Sequence, residues 1–298
     1  MKKGRIVVGG VLAFGVMARM AAGQEAAGAK PAQVAPIVVQ EEKQMQEETV
    51  VGPYDQPEWS THRRFPLSRI YLQHTPYEMG VEQWWRLQHF RDGTTKQRFQ
   101  EEFGIGLPHR IQLDIYETWV VKNDGHTVHD NVAAEIRYAL ADWGKIPMNP
   151  TIYLEWKFVK GGADVLESKL LLGDELASGV HWGVNLVYEQ EVSDVRTTEY
   201  AVSGAIGKTI IDQKLGLGIE AKYINATEKG SRSDAEQQFL LGPSLQWRPA
   251  PRWHVDLAPL AGLTDDSPRV EAWAVAGFEF GPGPQKKSVQ APISTIRN

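Results

Sequence analysis

The sequence predicts an all-β fold, an up-and-down antiparallel transmembrane β-barrel of about 12 strands, with a range of about 10–14. From about residue 81 to residue 280, segments of roughly ten residues alternate apolar and polar side chains, which is the period of a β-strand. Tight turns alternate with longer, more polar connections, as the two ends of such a barrel require. Beyond the N-terminal region, no stretch stays apolar for the roughly 20 residues that a transmembrane helix needs.

The first element is a predicted secretory signal peptide, residues 1–23. Lys2, Lys3 and Arg5 are basic, an apolar run follows over 6–17, and small residues occupy 21–23. This three-part layout predicts export, with cleavage before Gln24 and a periplasmic N-terminus in a Gram-negative cell. The alternative is an N-terminal anchor that is never cleaved.

The second element, residues 24–65, is rich in Gln, Glu, Ala and Pro. Few apolar side chains are available for burial, so we expect a disordered periplasmic leader or linker. A helix over 41–48 and a role as a plug in the barrel are the alternatives. The predicted organisation is therefore a signal peptide (1–23), a leader or linker (24–65), a β-barrel (66–281) and a flexible C-terminal tail (282–298).

The barrel strands follow in order. In the segment 110–121, Ile111, Leu113 and Ile115 share one face, and Gln112 and Asp114 share the other. Similar segments lie near 134–141, 152–158, 166–172, 180–189, 199–207, 215–223, 238–247 and 270–280, and three weaker ones near 81–90, 96–107 and 253–260. The polar face carries glycine, serine and asparagine beside charges, which fits a confined lumen. A soluble β-protein with its apolar face inward is the alternative.

Composition narrows the class of protein. The chain has 10 Trp and 9 Tyr, residues that gather at membrane interfaces. It has no Cys, which excludes a disulfide framework. Its net charge of −5 argues against a nucleic-acid surface. The predicted partners are therefore outer-membrane lipid, the barrel insertion machinery and an unidentified small-molecule solute, with no nucleic acid.

Residues 139–144, Ala-Leu-Ala-Asp-Trp-Gly, follow a strand containing Glu135 and Arg137. Together with 204–206, 215–218 and the strand ending in Phe280, this turn resembles the phenol-degradation (MetA-pathway) transporter family of bacterial outer-membrane barrels, over about 80–281. The resemblance implies an outer-membrane barrel that passes small hydrophobic or aromatic compounds. Such barrels end on an aromatic residue, whereas here 281–298 follow Phe280.

A recurring Glu-x-Lys/Arg pattern supplies the candidate functional residues. Residues i and i+2 of a strand point to the same face, so each pair projects into the lumen, where neighbouring strands can pair opposite charges. The pattern indicates either a solute path selected by charge or a structural network that fills the lumen. The predicted lumen-lining residues are Asp114, Glu135, Arg137, Glu155, Lys157, Glu167, Lys169, Glu189, Glu199, Glu220, Lys222 and Glu271.

Enzyme chemistry receives little support. His181, Asn185 and Ser203 fall on the same predicted face of neighbouring strands, but no nucleophile-elbow motif accompanies them. We predict no catalytic residues, no metal site and no cofactor.

The sequence therefore predicts an outer-membrane channel or passive transporter for small solutes. Two alternatives stay open, a filled structural or interaction barrel without transport and a soluble periplasmic ligand-binding β-protein.

Overall fold

Twelve antiparallel strands close into one barrel in the part of the chain that a computed structural model describes, residues 45–122, 125–283 and 285. Each strand pairs with its neighbour in sequence, and the last strand pairs with the first. The barrel strands are β3 (Met79–His89), β4 (Thr95–Leu107), β5 (Ile111–Val121), β6 (Thr127–Ala139), β7 (Thr151–Val159), β8 (Val165–Ala177), β9 (Val180–Glu191), β10 (Thr198–Ile211), β11 (Leu215–Thr227), β12 (Glu236–Ala250), β13 (Trp253–Gly262) and β14 (Val270–Phe280). The predicted fold class and the prediction of about 12 strands are confirmed.

Short elements precede the barrel. Strands β1 (Val50–Val51) and β2 (Gln56–Pro57) form a two-stranded sheet, and single 3-10 turns cover Gln46–Glu48 and Glu58–Thr61. No helix in the described ranges combines the length and the hydrophobicity needed to cross a membrane. The predicted signal peptide, residues 24–44 and most of the C-terminal tail lie outside the described residues.

The two faces of the barrel differ in chemistry. Leu113, Ile115 and Leu217 point outward and are exposed, whereas Gln112 and Asp114 point inward and are buried. The same alternation runs through the other strands, so the apolar face is outside and the polar face lines the interior. A soluble β-barrel has the opposite arrangement. The fold is therefore that of a transmembrane β-barrel.

Exposed aromatic side chains mark both ends of the barrel wall. Trp247 and Trp253 lie beside the turn that joins β12 to β13. Phe158 and Tyr200 lie at the opposite end, where β7 ends and β10 begins. Trp and Tyr rings prefer the two interfaces of a bilayer because each combines an apolar body with a polar N–H or O–H group. The two groups therefore indicate where the wall leaves the hydrocarbon region.

The connections define two ends of the barrel. At the short-turn end, β8 and β9 are joined by two residues, and β4 and β5 by three. His109 and Arg110 in the latter turn both have positive φ, 64° and 62°, the backbone form that suits a tight hairpin. Residues 140–150 form the one extended connection between described strands at this end. The other end carries the loops 228–235 and 263–269 and is called the long-loop end.

Candidate functional site in the barrel lumen

Residues 45–78, called the internal segment, pack inside the barrel. Its apolar side chains form a buried cluster with residues of the wall. Trp59 and Leu72 are at most 1% exposed. This finding corrects the expected linker for 45–65 and moves the start of the barrel wall from residue 66 to Met79. The composition of 24–65 is polar on average, but its second half holds enough apolar side chains to be buried inside a closed wall.

The internal segment begins at the short-turn end. The backbone N–H of Gln46 donates to Asp212 Oδ2 at 2.7 Å, in the turn between β10 and β11. Ser178 Oγ and the N–H of Gly179, in the turn between β8 and β9, both donate to Glu48 Oε1, at 2.5 and 3.0 Å. Met79, where the segment ends, also lies at this end because β3 runs from it towards the long loops.

Side chains of the wall satisfy backbone groups of the internal segment. The N–H of Leu67 donates to Glu220 Oε2 at 2.8 Å, and the N–H of Gln73 donates to Gln112 Oε1 at 2.8 Å. Buried backbone N–H groups without partners are costly, and here the segment has little secondary structure of its own. The inward polar residues of the wall therefore replace the hydrogen bonds that a helix or strand would supply.

Glycines of the wall admit the segment's bulky side chains. A Cβ at Gly173 or Gly183 would lie 2.7 or 2.8 Å from Ile70, and a Cβ at Gly207 would lie 2.9 Å from Phe65. These contacts are too short for real side chains, so each glycine leaves the space that its partner occupies. The glycines on the inward face of β8, β9 and β10 therefore match the shape of the internal segment.

His181, Asn185 and Ser203, which were considered for catalysis, each contact a different residue of the internal segment. The His181 ring stacks on Trp59 with 3.9 Å between the ring centroids. Ser203 Oγ lies 3.2 Å from Ser68 Oγ. Asn185 exchanges two hydrogen bonds with the backbone of Arg69. Each of the three residues holds the internal segment.

Buried ion pairs also join the segment to the wall. Arg63 donates through Nε and Nη2 to Glu82, at 3.0 and 2.5 Å. Arg69 Nη2 lies 3.3 Å from Glu102. Removing one partner of a buried pair leaves an uncompensated charge, which costs about 3–5 kcal/mol. These pairs therefore specify the position of the segment. Glu82 and Glu102 lie in the two weaker strand segments at the start of the barrel, which is why they were missed.

Six inward carboxylates form a continuous row across the wall. Strands β5 to β10 each contribute one, and every neighbouring pair stands directly opposite in register. Because barrel strands tilt, such a row climbs along the axis. It begins near the start of β5, at the short-turn end, and finishes at the start of β10, at the long-loop end. We call it the carboxylate row, and its members are Asp114, Glu135, Glu155, Glu167, Glu189 and Glu199.

Cations offset the repulsion along the carboxylate row. Like charges directly opposite each other destabilise a sheet. Lys157 Nζ lies 3.3 Å from Glu155, 3.0 Å from Glu167 and 2.7 Å from Glu189. Lys169 adds a second contact to Glu167, at 2.9 Å. The Glu-x-Lys pattern of the sequence therefore forms a network, both within and between strands.

Two carboxylates of the row, together with Glu102 on β4, have the spacing of a metal site but the charge of an ion-pair cluster. Glu102, Asp114 and Glu135 each place an oxygen within 4.8 Å of the other two. Arg137 donates to Glu135 and lies 3.3 Å from Asp114, while Arg69 neutralises Glu102. A cation would have to displace two buried guanidinium groups. The three carboxylates therefore have their counterions within the chain.

A cavity of about 370 Å³ lies in the part of the lumen nearer the long loops. Its floor is the internal segment, through Pro66, Leu67 and Arg69. Inward charged side chains of several strands line it, namely Arg86, Arg98, Glu155, Lys157, Glu167, Lys169, Glu189, Glu199 and Lys222. The lumen therefore divides into an occupied short-turn half and a charged cavity above it.

All twelve predicted lumen residues lie on the inward face, in three groups. Seven of them, Glu155, Lys157, Glu167, Lys169, Glu189, Glu199 and Lys222, line the cavity. Asp114, Glu135, Arg137 and Glu220 lie lower, against or near the internal segment. Glu271 is fully buried and pairs with Arg86 at 2.6 Å. Lys222 forms no ion pair within 4 Å with any described carboxylate, which distinguishes it from Lys157.

Two titratable groups lie in the internal segment just before β3. Burial raises the pKa of the Glu78 carboxyl to about 7, against hydrogen bonds from Thr75 that lower it. Burial lowers the pKa of the His74 ring to about 4. His74 contacts the inward positions Gly80 and Gly104, where a Cβ would lie 2.6 and 2.9 Å away. The segment therefore favours the neutral form of both groups at its C-terminal end.

The family comparison matches part of the wall. A family model described as "Putative MetA-pathway of phenol degradation" matches residues 172–274, about a third of the chain. The match spans the end of β8 to the middle of β14, and it includes the stretches 204–206 and 215–218 that carried the resemblance. The turn 139–144 lies outside it. The loose resemblance to this family is therefore confirmed over 172–274. No curated protein matches the chain.

Several solved structures are similar to this chain. One is a NanC porin, which has 11% sequence identity and a TM-score of 0.48, and the match covers 68% of this chain and 99% of that one. The β domain of the Bordetella autotransporter BrkA has 10% identity and a TM-score of 0.43 over 68% and 98%. A loop-deletion variant of OmpT, an outer membrane protein of Vibrio cholerae, has 12% identity and a TM-score of 0.34 over 68% and 98%. These scores are low, so the fold assignment rests on the strand pairing of this chain.

Proposed function

We propose that the protein is an outer-membrane channel for small charged or polar solutes, closed at its short-turn end by the internal segment. The observation that carries this proposal is the charged cavity whose floor is that segment. The apolar outer face would contact outer-membrane lipid, and the barrel insertion machinery would assemble the exported chain. The short-turn end would face the periplasm, as in barrels with short periplasmic turns.

The cavity lining favours polar solutes over the hydrophobic or aromatic compounds that the family resemblance implies. Carboxylates, ammonium groups and guanidinium groups dominate the wall above Arg69. An apolar solute would have to displace water from these groups without replacing their hydrogen bonds, which is unfavourable. A polar or charged solute would replace those bonds, so the chemistry of the lining points to that class.

Passage would require the internal segment to move. It fills the short-turn half of the lumen. At its apex, residues 67–69, the Leu67–Glu220, Ser68–Ser203 and Arg69–Asn185 hydrogen bonds and the Arg69–Glu102 ion pair hold it to the wall. Segments that gate a pore need a second arrangement within a few kcal/mol of the first. Loss of these apex contacts would open the cavity towards the short-turn end.

The test is a removable covalent lock. Ser68 Oγ and Ser203 Oγ lie 3.2 Å apart, so a Ser68→Cys/Ser203→Cys pair places two sulfur atoms within reach of a disulfide. The chain has no Cys, so no other thiol competes. The full chain is purified from outer membranes, checked for heat-modifiable gel mobility, and recorded in planar bilayers. We expect discrete conductance after reduction and its loss after oxidation.

The matched control is the single variant Ser203→Cys, whose conductance should not respond to oxidant. Equal conductance in the locked and unlocked double variant would contradict the gate. Absence of conductance from wild type and from the reduced variant would contradict transport and favour the second candidate, a filled barrel. That candidate is supported by the buried Arg63–Glu82 pair, which holds the segment through 2.5 and 3.0 Å contacts.

A further inference from the structure

A second pocket, of about 290 Å³, lies at the long-loop ends of β3, β4 and β5. Four of its lining residues are cationic, Arg86, Lys96, Arg98 and Lys122, and no acidic residue of the described ranges contributes to the lining. Two glutamines, Gln88 and Gln97, add polar side chains that can donate hydrogen bonds. We call this pocket the basic rim. It contrasts with β7 to β10, which carry most of the carboxylate row.

Strand register concentrates positive charge at the basic rim. Arg86 on β3 stands directly opposite Arg98 on β4. Lys96 lies two residues before Arg98 on the same strand and therefore on the same face. Like charges directly opposite each other destabilise a β-sheet, so this pairing has a cost in the unliganded barrel. An anion bound beside Arg98 would reduce that cost.

Partners within the chain neutralise the basic rim only in part. Arg86 is paired with Glu271 at 2.6 Å. Arg98 has a long contact of 3.7 Å to Asp130, and its side chain stays 43% exposed. Lys96 Nζ lies 5.0 Å from the Phe90 ring centroid and has no carboxylate within 4 Å in the described part of the chain. Arg98 and Lys96 therefore keep most of their hydrogen-bond donors available.

The position of the rim favours a dissolved ligand. Arg86, Gln88 and Arg98 line both the basic rim and the main cavity, so the two spaces adjoin inside the wall. We infer that the basic rim is a binding site for the anionic group of a small solute, a carboxylate held by Arg98 and Lys96. A planar guanidinium matches the two oxygens of a carboxylate. This inference names the solute class of the proposed channel. Passage of that solute rests on the proposed function, whereas its binding at the rim does not.

Three probes of similar size separate charge from shape: benzoate, neutral benzyl alcohol and cationic benzylammonium. Calorimetric titration of the folded full chain in detergent, at low ionic strength, measures binding without any conductance. We expect benzoate to bind and the other two probes to bind at least about tenfold more weakly, the factor that 1.4 kcal/mol represents. Raising the salt concentration to about 1 M should weaken benzoate binding, since exposed charges are then screened beyond about 3 Å.

The variants Arg98→Gln and Lys96→Gln should each weaken benzoate binding, and the double variant should weaken it at least about tenfold. The control is Lys229→Gln, a cation in the loop between β11 and β12, which should leave binding unchanged. The titration is repeated with detergent micelles that contain phosphatidic acid, because a phosphate-bearing lipid is the other source of an anionic group. Competition by that lipid would mean that the rim faces the membrane and would overturn the inference.

Equal binding of the three probes, or benzoate binding that survives the double variant, would also overturn it. These results are separable from those on transport. Benzoate binding to a barrel that never conducts would support this site and contradict the channel. Conductance by a barrel that does not bind benzoate would support the channel and contradict this site.

Discussion

Arg69 and Asn185 exchange two hydrogen bonds inside the barrel. The backbone N–H of Arg69 donates to Asn185 Oδ1 at 2.8 Å, and Asn185 Nδ2 donates to the Arg69 carbonyl at 2.8 Å. The side-chain amide thus pairs with the internal segment as a neighbouring strand would. A single residue of the wall satisfies both backbone groups at the apex of the segment.

Replacing Asn185 with Ala should loosen the internal segment. Both backbone groups of Arg69 would lose their partners, at about 1–3 kcal/mol each, so we expect the free energy of unfolding to fall by about 2–6 kcal/mol. Urea unfolding in lipid vesicles measures the loss, and protease access to 45–78 locates it. Asn225→Ala is the control, because Asn225 lies on β11 away from the segment. Equal effects of the two variants would contradict the role assigned to Asn185.

Gly183→Val should displace the segment by collision, since a Cβ at this position would lie 2.8 Å from Ile70. We expect destabilisation of about 1–3 kcal/mol, as for overpacking in a core. Adding Ile70→Ala should restore part of that loss because it removes the colliding atoms. Gly204→Val is the matched control on the outward face, where the nearest atom would lie 3.8 Å away. An absence of rescue by Ile70→Ala would contradict the assigned contact.

Leu154→Arg and Leu217→Arg test the outward face. Both leucines are 46% exposed on the outside of the wall. An arginine that faces lipid near the bilayer midplane costs about 2–4 kcal/mol, so we expect impaired assembly and a smaller heat-modifiable fraction. Ser231→Arg, in the loop between β11 and β12, should assemble normally. Normal assembly of both leucine variants would show that their face does not contact lipid.

Lys157→Ala and Lys222→Ala should separate stability from selectivity. Lys157 contacts three glutamates, so its removal leaves buried like charges and should lower the free energy of unfolding by about 3–5 kcal/mol. Lys222 has no such pairs, so its removal should leave stability within about 0.5 kcal/mol. Reversal potentials should shift towards cation selectivity for both variants. Unchanged reversal potentials in a conducting barrel would identify the charges as structural.

Glu78→Gln should remove one pH dependence of the segment. The pKa of Glu78 is raised from 4.5 to about 7, so its protonated form is favoured in the folded state. Its stabilising contribution is complete below pH 4.5 and is lost as the pH rises through about 7, by up to about 3 kcal/mol. The variant should therefore gain stability relative to wild type over that range. Urea unfolding at pH 5 and pH 8 checks the difference.

Comparison at each pH is needed because His74 acts in the opposite direction. Its pKa is lowered to about 4, so its contribution is present above 6.5 and is lost as the pH falls through about 4. Glu279 on β14 and Arg248 on β12 also face Glu78, and they oppose each other in their effect on its pKa. A constant difference between Glu78→Gln and wild type across the range would contradict the raised pKa.

Much of the wall could be predicted from the sequence because a strand shows its two faces every second residue. Leu113 and Ile115 opposite Gln112 and Asp114 indicate both the strand and its orientation. The internal segment could not be identified in the same way, because it has almost no repeating structure. The combination of Trp59, Tyr71 and Leu72 with inward glycines on β8 to β10 is the signal that points to it.

The carboxylate row could not be predicted because it depends on register. Each Glu-x-Lys pair is visible along one strand, but which glutamates stand opposite each other depends on turn lengths and bulges. A shift of one residue would send these side chains to the lipid. The same limit applies to the basic rim, where Arg86 and Arg98 lie on strands with weak alternation.

Both ends of the internal segment lie at the short-turn end of the barrel. Gln46 is held at the turn after β10, and Met79 begins β3 beside the end of β14. The segment is therefore a loop pushed into a closed cylinder from one side, not a chain passed through it. Such a loop can be withdrawn without threading a terminus through the pore and without breaking any pair of strands. Closure of the barrel during assembly and later release of the loop are consequently not linked by the topology of the chain.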